Sequence, residues 1–222
     1  IKRFFHCSTV GVQGHIDENP ADENYRYAPG DHYQRTKMEG EKQVLAYISK
    51  GLPGVVVRPA GIYGPGDTRF LKLFRPINKR RFVMIGSGKA YYHFTYIDDL
   101  INGFILAGTK DEAIGEVFTI AGEEYITLEN LVNMIADILA KPRPKLRFPF
   151  MPVYAAAVAC DRLCRPFGIE PPLFPRRVDF FRKDRAFSIQ KAQKVLGYQP
   201  KMKLKDGLIR TAQWYRENGY LQ

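Results

Sequence analysis

Cysteine is scarce in this chain and follows no pattern. The three thiols, Cys7, Cys160 and Cys164, are an odd count with no Cys-x-x-Cys among them, which excludes a closed disulfide framework and a zinc knuckle. Cys160 and Cys164 fall one helical turn apart with no histidine beside them. The four histidines, His6, His15, His32 and His93, have no ligand spacing, so no metal centre is expected. Reduced thiols point to a cytoplasmic location. The most apolar stretch, 146–174, is too short and too often broken by proline to span a bilayer, and no secretory leader is present from Ile1 onward. Acidic residues are outnumbered, 23 against 34 basic, for a net charge of +11. The basic residues are scattered, with short clusters only at Lys79-Arg80-Arg81 and Arg176-Arg177. That excludes a nucleic-acid face as the leading reading and leaves two explanations. One is a small-molecule substrate or cofactor that carries phosphates. The other is compensating acid elsewhere in the protein.

Phosphate-cradling glycine turns are also missing. Gly86-Ser87-Gly88-Lys89 fails as a phosphate loop, because that motif requires glycine at the position of Val83 and a hydroxyl at that of Ala90. Gly11 and Gly14 lead into the acidic loop Asp17-Glu18-Asn19-Pro20 rather than into a helix. Gly61-Ile62-Tyr63-Gly64-Pro65-Gly66 follows a strand but is interrupted by Pro65.

The apolar fraction, 45%, suits a globular core, and the patterning is α/β. Ile1 to Cys7 reads as a buried strand. Residues 31–48 read as a helix stopped by Gly51-Leu52-Pro53-Gly54. Val55 to Val57 is a continuous β-branched run of the kind found in parallel strands covered on both faces. Strand, helix, strand is a βαβ step, and ligands of such sheets bind beyond the carboxyl ends of the strands. Thr9 and Arg58-Pro59 lie at those ends. Further on, 70–77 reads as a helix, 82–85 as a short strand and 98–107 as a helix. Then come a strand at 116–120, a helix from Thr127 to Leu139 and two C-terminal helices. Asp98 and Asp99, in a helical first turn, read as capping and docking residues rather than catalysts.

Within the 31–48 helix, Tyr33 and Lys37 sit one turn apart on one face. A phenol beside a fixed positive charge is biased towards phenolate and can exchange protons with a substrate oxygen. With thirteen tyrosines in the chain, about one Tyr-x-x-x-Lys is expected by chance, so the pair acquires meaning only from its surroundings. Those surroundings are ordered: Ser8-Thr9 with Gly14 five residues later, then Tyr33-x-x-x-Lys37. Arg58-Pro59-x-x-x-Tyr63-Gly64-Pro65-Gly66 and Phe94-Thr95-Tyr96-Ile97-Asp98-Asp99-Leu100 follow in turn.

This series resembles the extended short-chain dehydrogenase/reductase family, the NAD-dependent epimerase/dehydratase group, along the whole chain. The resemblance implies an α/β fold: a partial Rossmann-type doubly wound parallel sheet with a smaller α+β substrate lobe. It implies a catalytic half at 1–64 and 92–121. The remainder, 65–91 and 122–222, would be mainly substrate lobe and C-terminal helices. The family's Gly-rich cofactor turn is expected ahead of Ile1. As the resemblance has it, Tyr33 is the general acid/base. Lys37 holds the nicotinamide ribose, Thr9 holds the reacting oxygen and Ser8 supports it, while Pro59 and Ile62 line the cofactor, NAD or NADP. Tyr92, Arg176 and Arg177 are the candidate substrate contacts, together with Thr9. A homodimer through the Tyr33 helix is expected, with Met38, Val44 and Leu45 as candidate contacts.

The implied reaction is hydride transfer at a carbinol or ketone. Val10-Gly11 stand where the family's dehydratases carry an acidic pair, which disfavours dehydration. Tyr92 stands where sugar 4-epimerases often place an arginine. Three readings follow: an epimerase or reductase of a nucleotide sugar, a hydroxysteroid-dehydrogenase- or dihydroflavonol-reductase-like enzyme on a hydrophobic alcohol or ketone, and a non-catalytic cofactor-sensing scaffold. The apolar 146–174 stretch reads first as a packed lobe, and otherwise as a lid for an apolar substrate or a surface touching membrane lipid.

Overall fold

The computed structural model describes residues 1–221. In chain order the regular elements are β1 (Phe4–Cys7), α1 (His32–Ile48), β2 (Gly54–Pro59), β3 (Gly61–Tyr63), α2 (Leu71–Asn78), β4 (Met84–Ile85), β5 (Tyr91–Tyr96) and α3 (Ile97–Thr109). They continue with β6 (Val117–Ile120), β7 (Tyr125–Thr127), α4 (Leu128–Ile138), β8 (Arg147–Phe148), α5 (Phe150–Cys164), α6 (Pro175–Asp179), α7 (Gln190–Leu196) and α8 (Leu204–Glu217). Two compact units form: Ile1–Asp67 with Tyr92–Tyr125 and Asp184–Trp214, and Thr68–Tyr91 with Ile126–Lys183 and the chain from Tyr215 on.

The first unit is α/β. Its parallel sheet has the order β1-β2-β6, with Cys7 beside Val57 and Pro59 beside Ile120. All six residues of β2 are buried. Strand side chains alternate between faces, so both faces are covered, and α1 and α3 both pack on β2. Gly103 lets α3 come close: a Cβ there would lie 2.9 Å from the Ile120 side chain. β1 departs from the buried strand expected at 1–7. Phe4, Phe5 and His6 are only half-buried and Cys7 is exposed, because β2 is its single ladder partner in the sheet order.

α1 begins where Asp31, in extended backbone, accepts a hydrogen bond from Gln34 N at 2.8 Å, the N-cap that closes a first turn. The Gly61–Tyr63 segment, read from sequence as a closing turn, is instead the short strand β3. It pairs with Phe94–Tyr96 of β5, so a long-range ladder overrides the turn-like signal of Gly61. Asp99 docks the C-terminal segment, as its first-turn placement implied. Its two oxygens accept from Lys201 N (2.9 Å) and Met202 N (3.0 Å). Grouping 184–214 with the lobe needs correcting. Ala192, Leu196 and Tyr198 lie in the same buried cluster as Val55, Val57, Phe118 and Ile120, so burial of these side chains ties α7 to the sheet.

The second unit centres on α4. Thr127 caps it by accepting from Asn130 N, and Leu128, Leu131, Val132 and Ile135 bury one face of it, with α2 packed against it. β4 and β8 pair in parallel, Met84 beside Arg147. α5 differs from a packed lobe element: Ala157 alone is buried along it, while Met151 (69%), Leu163 (69%), Phe167 (78%) and Ile169 (58%) on α5 and beyond are exposed. Among the described residues no helix is long and apolar enough to cross a membrane.

Candidate active site

Ser8 and Thr9 follow directly on the carboxyl end of β1. Ser8 is tied into the sheet through its N–H to Val57 O (2.8 Å). Thr9 then caps a single 3-10 turn, Val10–Gln13, its Oγ1 accepting from Gly11 N at 3.1 Å. That turn abuts the start of α1: a Cβ on Gly11 would sit 3.2 Å from Gln34 Cγ. Tyr33, in this first turn of α1, is 54% exposed. One turn later the Lys37 ammonium donates to Cys7 O at 3.0 Å. The Tyr33–Lys37 stretch of the helix is therefore pinned to the end of the strand that carries Ser8-Thr9.

Other candidates take different places. Pro59 is buried at the end of β2, and Ile62 is half-buried in β3. Tyr92 is buried and stacks on Phe94 with ring centroids 5.9 Å apart. Its hydroxyl accepts from the Arg185 guanidinium at 2.9 Å. Burial pushes its phenol up to about 12, with Arg185 acting the other way. Arg176 and Arg177 are exposed on α6 in the second unit, where Arg177 donates to Pro172 O (2.7 Å).

Sequence reasoning missed the buried polar centre of the first unit. Glu41 is fully buried and Arg58 is 2% exposed. They meet at 2.6 Å, Nη2 to Oε1, with Arg58 Nε shared between both carboxylate oxygens at 3.1 and 3.2 Å. Ser8 Oγ donates to Glu41 Oε2, Tyr27 Oη to Oε1 at 2.7 Å, and Arg58 Nη1 to Glu23 O at 2.9 Å. Burial works against a charged Glu41. Hydrogen bonding and charge from Arg58, with help from Ser8 and Tyr27, outweigh it and hold the carboxyl below its ordinary range. Two signals were present in the sequence: an arginine inside a β-branched run, and an acid one turn beyond Lys37 on the helix.

Hydrogen-bond capacity tests whether a nicotinamide dinucleotide fits. An ammonium has three protons, and the Cys7 carbonyl takes one of Lys37's, leaving donors for sugar hydroxyls. Thr9 Oγ1 accepts from Gly11 N and so keeps its own proton to donate. The Tyr33 phenol is open to approach. These groups fit the ribose and the reacting oxygen at the nicotinamide end.

A family model described as the NAD dependent epimerase/dehydratase family matches residues 1–121. The 3beta-hydroxysteroid-dehydrogenase/decarboxylase isoform 1 of Arabidopsis thaliana is 31% identical over 95% of this chain and 52% of that protein. The 3 beta-hydroxysteroid dehydrogenase/Delta 5-->4-isomerase of Mycobacterium tuberculosis is 31% identical over 97% of this chain and 61% of that one. The chain therefore spans about half to three fifths of the length of these curated relatives. Among solved structures, a UDP-glucuronic acid 4-epimerase from Bacillus cereus in complex with NAD aligns at TM-score 0.75 and 26% identity. That alignment covers 99% of this chain and 63% of the epimerase.

Proposed function

The chain belongs to the NAD dependent epimerase/dehydratase family, and on that premise we propose that it carries the catalytic centre of an NAD-dependent oxidoreductase acting on a secondary alcohol or the corresponding ketone. The observation that carries the reading is the Lys37–Cys7 tie at 3.0 Å, which fixes the Tyr33 turn against the strand end bearing Thr9. A bound nicotinamide supplies the hydride acceptor or donor. Tyr33 takes the proton from the substrate hydroxyl during oxidation and returns it during reduction. Thr9 donates its hydroxyl proton to the same substrate oxygen. Lys37 gives its remaining donors to the ribose hydroxyls and holds the helix turn in place. Ser8, Pro59 and Ile62 support and line the nicotinamide end, and the finer roles of Tyr92, Arg176 and Arg177 lie with the substrate.

For the substrate, a hydrophobic alcohol leads. Curated relatives bear hydroxysteroid-dehydrogenase names, and Tyr92 offers an aromatic ring packed on Phe94 where a phosphate-binding arginine would favour a sugar nucleotide. A nucleotide sugar is the second reading, supported by the likeness to the UDP-glucuronic acid 4-epimerase and by the net charge of +11. A homodimer through α1 belongs to the proposal, since Met38, Val44 and Leu45 are only half-buried in the single chain. So does a cytoplasmic location, since all three cysteines are free thiols. The test is Tyr33→Phe in the full-length gene product, with dinucleotide reduction followed by absorbance against panels of sterols and sugar nucleotides. A fall of about a hundredfold or more in turnover, with dinucleotide binding kept, is expected. Undiminished turnover removes the acid/base role, and turnover on sugar nucleotides alone reverses the order of substrates.

A further inference from the structure

The buried polar centre uses no group assigned to the reaction except the Ser8 hydroxyl, yet it joins α1, β2 and the end of β1, which carry Tyr33, Lys37, Pro59 and Thr9. Glu41 is on α1, eight residues beyond Tyr33 and four beyond Lys37, so it continues their side of the helix as that side turns inward. Ser8 immediately precedes Thr9. Arg58 sits on β2, one residue before Pro59. Two adjacent ties therefore register α1 against the end of β1: Lys37 Nζ to Cys7 O at 3.0 Å, and Ser8 Oγ to Glu41 Oε2. The ties are one turn apart on the helix and one residue apart on the strand, so a slide of α1 along the strand end breaks both.

The second tie is made rigid from behind. Glu41 accepts from four donor atoms, Ser8 Oγ, Tyr27 Oη, and Nε and Nη2 of Arg58. Arg58 is held in turn by Glu23 O, and Glu23 Oε1 accepts from Thr119 N at 2.7 Å, which links the centre to β6. Both charged side chains are almost wholly buried, at 3% and 0% exposure. Burying such a pair is a poor route to stability, because well-packed apolar residues of similar volume often do as well or better. Geometric registry is the use that remains. We propose that Glu41, held by Arg58, is a positioning residue that sets where Tyr33 and Lys37 stand relative to the Thr9 hydroxyl. The inference rests on the oxidoreductase reading above for its consequence in turnover, but its structural content stands apart from that reading.

The test compares Glu41→Gln, the apolar double variant E41M/R58M, and Ser8→Ala in the full-length gene product. For each, thermal midpoint, kcat, KM for the dinucleotide and amide hydrogen exchange across 32–40 are measured. Glu41→Gln should lower kcat tenfold or more with KM within about threefold. E41M/R58M should regain the wild-type thermal midpoint while kcat stays low and exchange across 32–40 runs at least tenfold faster than in the wild type. Ser8→Ala, which removes one tie and keeps the ion pair, should lower kcat severalfold and loosen the same segment. Recovery of midpoint, kcat and wild-type exchange together in E41M/R58M makes the pair purely structural and overturns the proposal. If the double variant does not fold, Ser8→Ala decides: unchanged kcat and unchanged exchange overturn it equally. Tyr33→Phe run in parallel keeps the two ideas apart. If that variant turns over normally, Tyr33 loses its acid/base role, while the exchange data still decide whether Glu41 registers the helix.

Discussion

Acidification forces a proton towards His93, and the fold has no place for it. The imidazole is 4% exposed. Its Nε2 donates to Gly122 O at 2.9 Å, which leaves Nδ1 as the acceptor facing Phe187 N–H at 3.4 Å. A second proton at Nδ1 would set donor against donor in a site remote from water. Burial accordingly pushes His93 down from 6.5 to about 4, against the pull of the Gly122 carbonyl. The unfolded chain takes up this proton near 6.5 and the native chain only near 4. Between those values the unfolded state holds more protons, so stability rises with pH across the window and is lost on descending through it. At about 1.4 kcal/mol per pH unit the full gap is worth about 3 kcal/mol, of which about 2.5 is gone by pH 4.5. Urea unfolding read by the single tryptophan, Trp214, at pH 7.5, 6.0 and 4.5 measures it against His93→Gln. The advantage of wild type over variant should shrink by about 2.5 kcal/mol between pH 7.5 and 4.5. Contributions from His6 and Glu41 are common to both proteins and cancel. Parallel stability profiles would refute the assignment of a neutral, buried His93.

Other substitutions test separate links in the chain of reasoning. Gly14 has φ of 69° and a Cβ there would come within 2.0 Å of Ala28 O; Gly14→Ala should cost about 2 kcal/mol or more in urea unfolding, and a neutral result would mean the loop is packed differently. Asp99→Asn removes one charge-assisted acceptor from the pair Lys201 N and Met202 N and should cost about 2 kcal/mol, or about 4–8 °C in thermal midpoint. Thr9→Val removes the cap on Gly11 N for about 1 kcal/mol but should cut turnover at least about a hundredfold, whereas Thr9→Ser keeps most of both. Equal turnover in the valine and serine variants would take Thr9 out of the chemistry.

Local chemistry was legible where it acted over a few residues. The 31–48 helix was signalled by its stop at Gly51-Leu52-Pro53-Gly54, and Val55-Val56-Val57 announced a strand covered on both sides. Asp99 was read correctly as a docking residue from its place in a helical first turn. What could not be read was partnership across distance. β3 looked like a turn until Phe94–Tyr96 paired with it. The Arg58–Glu41 pair joins residues on different elements, and Tyr92 meets Arg185 from across the fold. Lys37 was placed one turn from Tyr33 by spacing alone, but its bond to the Cys7 carbonyl depends on how α1 lies against β1. The 146–174 stretch was misjudged for a related reason. Composition sets the wish for burial, and neighbours decide whether it is met.

The uncovered side chains around α5 have a practical side. Met151, Leu163, Phe167 and Ile169 present oily surface to water in the native protein, and environment-sensitive dyes adhere to such surface. A dye-based melting curve of this protein should start bright, flattening the very signal it is meant to report. The tryptophan on α8 gives a readout that does not depend on dye adhering to that surface.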